Sequence, residues 1–282
     1  PEDFLLKPAD RWILSKVNSL TKEMTENMDK FELGIAVQKV HDFIWDEFCD
    51  WYVEIAKYRI YHAEEDSQSA NCALWVLKTV LGQALKLLHP FMPFITEEIY
   101  GALVPEEESL MMSSWPVYRE DWEFPYATEV MKHVKAITRG IRNMRAEMNV
   151  PNNKRTKVYI ISSDSKLLTA LEVFKESVKP LMLANDIILH YEKKDVADDA
   201  VSIVVPGATV YLPLEDLVDF EQERERLKKE EERLNSEIKR AQGMLANERF
   251  TSKAPADKVQ ADKLEKYTKM LEQVKERIDS LR

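Results

Sequence analysis

Glycine and cysteine are scarce in this sequence, and long apolar segments are missing. The 282 residues include 6 Gly and 2 Cys. Few glycines leave few tight turns, which favours a helix-rich protein. Cys49 and Cys72 are too few and too isolated for a disulfide framework or a zinc knuckle, so we expect a reduced, cytoplasmic setting. No run of eighteen apolar residues and no signal-peptide pattern occurs, so we expect neither a membrane-bound nor a secreted protein.

Motifs for metal binding and catalysis are also missing. None of the five histidines follows a carboxylate by three residues, and no CxxC or HExxH pattern occurs. There is no P-loop, dinucleotide fingerprint or nucleophile elbow. We therefore expect no catalytic residues and no metal site in this chain.

The most distinctive segment is a basic one, residues 132–157. It holds eight Lys or Arg and one acid, Glu147, and so carries +7 in a chain of net charge −10. The basic side chains are Lys132, Lys135, Arg139, Arg142, Arg145, Lys154, Arg155 and Lys157. A basic surface on an otherwise anionic molecule is typical of a site that attracts a phosphate backbone.

The first part of this segment has the spacing of an amphipathic helix. Val130, Val134, Ile137, Ile141, Met144 and Met148 alternate in steps of four and three, which predicts one buried stripe ending near Val150, before Pro151. Lys132, Lys135, Arg139 and Arg142 then fall on the opposite face. Spacing alone is equally compatible with an ordinary solvated helix face.

Three regions follow from the patterns along the chain. Residues 1–150 read as a bundle of amphipathic helices that includes the basic helix. Asp10 is a candidate cap for the first helix, an aromatic-rich helix runs from about residue 32 to 61, residues 62–71 read as a loop, and Pro90 and Pro93 separate two later helices. Most of the bundle's aromatic side chains are expected in the core.

Residues 151–215 predict a small α+β module. Extended patterns cover residues 156–162, 187–191, 201–205 and 209–212, with a short helix at 166–176 and a hairpin signal at Pro206 and Gly207. Residues 216–282 predict an antiparallel coiled-coil hairpin, because two heptad-patterned helices flank about ten residues, NERFTSKAPA. The fold class is therefore mainly α, and an intramolecular hairpin makes a monomer the expectation.

Several of these segments resemble the part of valyl-tRNA synthetases that follows the catalytic core. DRWILSKVNSL, DFIWDEFCDWYVEIAK and LLHPFMPFITEEIY resemble the anticodon-binding bundle of the valine, isoleucine and leucine enzymes without choosing among them. IRNMRAEMNVPNNKRTKVYI resembles the arginine-bearing helix and strand after that bundle. LANERFTSKAPADKV resembles the carboxy-terminal arm of the valine enzyme.

The resemblance implies that the partner is tRNA, specifically the valine isoacceptors, and not DNA or a membrane. In the family, valine is adenylated with ATP and Mg²⁺ and transferred to tRNA. No HIGH or KMSKS signature and no editing segment occurs here, and the first residue is proline, so we expect a piece of a longer enzyme that is inactive alone and binds no cofactor.

The resemblance also implies contact residues. The eight basic side chains of residues 132–157 are the candidates for phosphate contact, and Arg249, Phe250 and Lys253 are candidates at the tip of the arm. Phe250 could equally plug the hairpin turn. Two other interpretations stay open: a coiled-coil adaptor or structural protein without RNA binding, or the same region of an isoleucyl- or leucyl-tRNA synthetase.

Overall fold

A computed structural model describes residues 5–217, 220–245 and 264–275. The chain divides into two compact units, Pro1–Pro213 and Leu214–Arg282. The first is mainly helical and ends in a small mixed sheet, as predicted. Within the described residues, no helix is both long and apolar enough to cross a membrane.

The helical part of the first unit forms as the apolar spacing predicts. Its helices are α1 (Pro8–Asp29), α2 (Leu33–Asp42), α3 (Glu54–Tyr61), α4 (Ser67–Leu88), α5 (Pro93–Leu103) and α6 (Pro125–Glu147). Proline occupies the first position of α1, α5 and α6, where no backbone donor is needed. The long connection before α6 contains two 3₁₀ turns, Leu110–Met112 and Glu120–Trp122.

The predicted helix over residues 32–61 is continuous but not uniform. A π-helical segment, Phe43–Val53, joins α2 to α3. A π-helix is wider than an α-helix and shifts the side chains that follow it around the axis. Two other predictions need correction. Helix α4 begins inside the predicted loop, because the side chain of Asp66 accepts a hydrogen bond from the backbone N–H of Ser69 and caps the helix. The second correction is that Asp10 is not the N-cap of α1, since Lys7 occupies that position.

Asp10 instead lies in the first turn of α1, where it is fully buried. Its Oδ2 accepts from the backbone N–H of Lys7 at 2.9 Å, and its Oδ1 accepts from Tyr52 Oη at 2.6 Å. Arg59 Nη1 donates to both carboxylate oxygens at 2.7 and 2.8 Å, while its Nε and Nη2 donate to Ser69. This buried ion pair ties α1 to α3 and to the start of α4.

The sheet has four strands in the order β2, β1, β4, β3. Its elements are β1 (Thr156–Ile161), α7 (Ser165–Val178), β2 (Ala184–His190), β3 (Val201–Val205) and β4 (Ala208–Leu212). Strands β1 and β2 are parallel and joined through α7, whereas β4 is antiparallel to both β1 and β3. Gly207, at φ +80°, closes the predicted hairpin between β3 and β4.

Helix α6 connects the bundle to the sheet because it packs on α1 and on β3. A β-carbon at Gly140 would lie 3.1 Å from Ile203 Cγ2 and 3.3 Å from Val205 Cγ1. His133 Nδ1 lies 2.8 Å from the carbonyl oxygen of Pro206 in the hairpin turn. His133 and Gly140 therefore hold one side of α6 against the β3–β4 hairpin, which defines the direction of its outer side.

The second unit is helical where it is described. It contains α8 (Leu214–Leu217), α9 (Phe220–Leu245) and helical residues 264–275. Leu234 is fully buried and Leu271 is 9% exposed. Lys275 Nζ lies 3.9 Å from Glu231 Oε1, so an ion pair joins the two helical segments.

Candidate nucleic-acid interface

The basic residues predicted from the sequence separate into a surface group and an interior group. Lys132, Arg139 and Arg142 are exposed on α6, and we call these three the α6 ridge. Arg155 is exposed just before β1, Lys157 is exposed near the start of β1, and Lys154 is half-buried. Lys135 and Arg145 lie inward.

Lys135 lies on the predicted polar side of α6, but the π-helical segment covers that side at this position, so Lys135 is not exposed to solvent as we expected. Its side chain is 12% exposed and donates to Glu47, whose other carboxylate oxygen lies 3.4 Å from Lys16 Nζ. Its Nζ also lies 4.5 Å from the ring centroid of Trp12 and 5.3 Å from that of Trp51. Burial lowers the pKa of Lys135, and the Glu47 carboxylate opposes that shift. Lys135 therefore joins helices within the bundle.

Arg145 is also an interior residue, although we predicted it as a surface contact. Its side chain is buried, and Nη2 donates to the carbonyl oxygens of Pro151 at 2.9 Å and Lys154 at 2.7 Å. Its Nε and Nη1 have no hydrogen-bond partner among the described residues. Burial, followed by the charge of Arg155, lowers the pKa of Arg145. The residue anchors the turn that leads from α6 into β1.

Arg139 and Arg142 differ from both because they are exposed, although, like Lys135, they lie near the ring of Trp51. Their guanidinium carbons lie 5.9 and 6.0 Å from the ring centroid of Trp51. Arg142 Nε also donates to the carbonyl oxygen of Leu181 at 3.3 Å. Among the described residues, neither arginine forms an ion pair with a carboxylate. Most of their N–H groups are thus available to an anion.

Arg155 extends this basic surface toward the sheet. Its Nη1 donates to the carbonyl oxygen of Pro180 at 3.3 Å. Because Arg142 bonds to the next carbonyl, that of Leu181, the two guanidinium groups border the same turn after α7. Lys132, by contrast, is 3.4 Å from Glu129, an exposed pair of little energetic consequence.

Among the exposed aromatic side chains of the bundle are one that we expected in the core and two that we did not single out. Trp12 and Phe43 are buried, but Trp45 is 57% exposed. Phe31 and Phe94 are 86% and 90% exposed. Exposed rings are suitable for stacking on unpaired bases. Phe31 follows α1 with φ +59°, a conformation that the sequence pattern does not indicate.

The remaining sequence-predicted contacts, Arg249, Phe250 and Lys253, lie outside the described residues. In the part of the chain that is described, no group of three or more His, Cys, Asp or Glu could hold a metal ion. The geometry available for ligand binding is therefore a basic, arginine-rich surface along α6 and the entry to β1.

Comparison with known protein families assigns this architecture to a class. Residues 10–160 match the family described as the anticodon-binding domain of tRNA ligase. Residues 219–282 match the family described as the valyl tRNA synthetase tRNA binding arm. Because the first match covers more than half of the chain, the chain belongs to the family of tRNA-ligase anticodon-binding domains.

Individual relatives make the assignment more specific. The chain is 46% identical over 278 residues to the valine–tRNA ligase of Clostridium perfringens and 45% identical over 276 residues to that of Clostridium acetobutylicum. The corresponding enzyme of Oceanobacillus iheyensis is 37% identical over 279 residues. The alignments cover 97–98% of this chain and 31% of each relative, so the chain spans about a third of their length. The resemblance to valyl-tRNA synthetases predicted from the residues is confirmed.

Proposed function

We propose that this chain is a tRNA-binding region of a valine–tRNA ligase and that its basic surface contacts the phosphate backbone of the tRNA. The observation that carries the proposal is that Arg139 and Arg142 are exposed and that no carboxylate among the described residues pairs with either of them. They stand out because the chain as a whole has a net charge of −10. Guanidinium groups in this state match phosphate oxygens in geometry and charge. The anionic remainder of the surface repels RNA and so favours one docking orientation.

Arg155, Lys154 and Lys157 extend the contact along the entry to β1. Lys132 contributes charge at the other end of the ridge. Lys135 and Arg145 support the proposal indirectly, since their contacts hold α6 against the bundle and fix the turn before β1. The proposed contact surface is thus smaller than the set of eight basic residues expected from the sequence.

Each region has a role in this proposal. Residues 1–150 meet the anticodon end, where exposed rings stack on unpaired bases, and residues 151–215 hold the basic helix in place. Residues 216–282 form an antiparallel coiled-coil arm that reaches the outer corner of the tRNA, with Arg249, Phe250 and Lys253 at its tip. The ion pair between Lys275 and Glu231 supports the hairpin, because it is compatible with two helical segments that run side by side.

The longer protein is proposed to attach valine to tRNA in the cytoplasm, using ATP and Mg²⁺ at residues other than those of this chain. We propose that the chain itself is a monomer. The names of the relatives support the choice of valine, and the arm match supports it over isoleucine or leucine.

A binding titration tests the proposal. The chain is titrated with valine tRNA, with the same tRNA carrying another anticodon, and with an unrelated tRNA, at three salt concentrations. We expect the tightest binding to valine tRNA, with affinity falling as salt rises. Charge reversal at Arg249 and Lys253 should weaken binding to all three. If the chain binds none of the three tRNAs, the proposal is contradicted and a coiled-coil adaptor is favoured.

A further inference from the structure

The indole ring of Trp51 lies next to the polar side of α6, close to three cationic side chains of that helix. Lys135, Arg139 and Arg142 are spaced by four and three residues, so they project from one side of the helix. Their cationic groups lie 5.3, 5.9 and 6.0 Å from the centroid of the Trp51 ring. Trp51 itself is only 5% exposed, and it belongs to the π-helical segment that packs beside α1.

The three cations differ in what remains available to a ligand. Lys135 is engaged inside the bundle by Glu47 and by the ring of Trp12. Arg139 and Arg142 are exposed and have no ion-pair partner among the described residues. Trp51 therefore lies between the interior of the bundle and the two arginines that the proposed RNA contact depends on.

A ring under a guanidinium group restricts its orientation without using its N–H groups. Cations within about 6 Å of a tryptophan ring centroid are attracted by the ring, and arginine can stack on it while its donor edge points elsewhere. A long arginine side chain that is already oriented loses less conformational freedom when a phosphate binds. For Arg142, the bond from Nε to the Leu181 carbonyl restrains the same group from a second side.

We infer that Trp51 is a positioning residue for RNA binding, which holds Arg139 and Arg142 with their free N–H groups directed at the phosphate backbone. This inference rests on the proposed function above. It differs from a purely structural role for Trp51, in which the ring only fills space between the π-helical segment and α6.

A double-mutant cycle on tRNA affinity separates these roles. The test cycle consists of Trp51→Leu, Arg142→Gln and their combination. The control cycle replaces Arg142→Gln by Lys132→Gln, since Lys132 lies on the same helix but away from the ring. We expect Trp51→Leu to weaken tRNA binding about two- to fivefold, the effect of one surface cation–π contact. Arg142→Gln should then cost less in the Trp51→Leu background than in the wild type, while Lys132→Gln costs the same in both.

Trp51→Phe keeps a ring and serves as the conservative variant if Trp51→Leu does not fold, as judged by thermal melting. It should retain affinity within about twofold, because phenylalanine also attracts cations, though more weakly than tryptophan. A loss with Trp51→Phe as large as that caused by Arg142→Gln would overturn the inference.

A measurement on the free protein tests the positioning without RNA. The Nε–Hε resonances of Arg139 and Arg142 should be displaced by the Trp51 ring and should return toward ordinary values in Trp51→Leu, whereas Trp51→Phe, which keeps a ring, should retain part of the displacement. The same resonances of Arg11 and Arg119, which lie over Phe124 and Trp122, are the controls and should not move.

The possible failures are distinguishable. If Arg142→Gln costs the same factor in both backgrounds, or if the arginine resonances do not respond to the Trp51 substitutions, Trp51 is not a positioning residue. If Arg139→Gln and Arg142→Gln leave tRNA affinity unchanged in the wild type, the proposed RNA contact itself is refuted, and with it the role of Trp51.

Discussion

The buried ion pair between Asp10 and Arg59 gives the sharpest prediction for the stability of the bundle. Asp10 is fully buried and Arg59 is 4% exposed. Replacing Arg59 by Met removes two hydrogen bonds to the carboxylate, at 2.7 and 2.8 Å. The carboxylate then keeps Tyr52, the Lys7 N–H and the thiol of Cys72, 3.7 Å away, as its hydrogen-bond donors. Removing one partner of a buried pair costs about 3 to 5 kcal/mol, mainly because the remaining charge stays buried. We expect that loss for Arg59→Met.

Asp10→Asn should cost a similar amount, since it leaves the Arg59 charge in the interior. The double variant should cost less than the sum of the two, by about 2 to 3 kcal/mol, because the residues contact each other directly. A matched control is the exposed pair Arg119 and Asp121, whose side chains are 51% and 65% exposed. Arg119→Met should change stability by at most about 1 kcal/mol.

The assay is denaturant unfolding followed by tryptophan fluorescence. All six tryptophans lie before residue 123, so the signal reports the first unit and not the second. A cost for Arg59→Met as small as that for Arg119→Met would refute the reasoning. Strict additivity of Asp10→Asn and Arg59→Met would refute it as well.

Two further predictions concern the core and the packing of α6. Tyr52→Phe removes the bond to Asp10 and should cost about 1.5 to 3 kcal/mol. Burial raises the pKa of Tyr52 well above its usual value, so the folded state keeps the proton that the unfolded chain releases. The stability that this group contributes is therefore complete below about pH 10 and is lost above it. Between pH 9 and pH 11, the free energy of unfolding should fall less for Tyr52→Phe than for the wild type, as measured by denaturant unfolding. Gly140→Ala gains the helix preference of alanine but places a β-carbon 3.1 Å from Ile203 Cγ2, so it should raise the melting temperature less than Gly101→Ala does. Gly101→Ala meets nothing within 4 Å and should raise it, since alanine favours helix by about 1 kcal/mol over glycine. Equal shifts for the two glycine variants, or parallel pH profiles with and without Tyr52, would contradict these predictions.

Elements defined by local pattern could be predicted from the sequence. The alternating apolar residues of α6, the prolines that begin α5 and α6, and the turn at Pro206 and Gly207 all act through near neighbours in the chain. The helical bounds and the four strands follow from such signals to within a few residues, apart from the start of α4. Asp66 caps that helix, a role that a polar stretch without periodicity does not indicate.

The composition of the site could be predicted only in part, because burial depends on what packs against a residue from elsewhere in the chain. Helical spacing places Lys135 on the polar side of α6, but the π-helical segment brings Glu47 and Trp51 to that side and encloses it. Arg145 is buried because the chain after Pro151 folds back over it and supplies two carbonyl groups. Neither event is visible in the spacing of α6 itself.

The most direct test of the central claim is the salt dependence of tRNA affinity for a variant with both Arg139→Gln and Arg142→Gln. Each phosphate contact adds about 0.7 to 0.9 to the slope of log affinity against log salt, so the slope should fall in magnitude by about 1.4 to 1.8. The control carries Arg11→Gln and Arg119→Gln, which remove the same number of exposed, ring-stacked guanidinium groups from outside α6. The account predicts that the control keeps the wild-type slope; an unchanged slope for the Arg139 and Arg142 variant would contradict it.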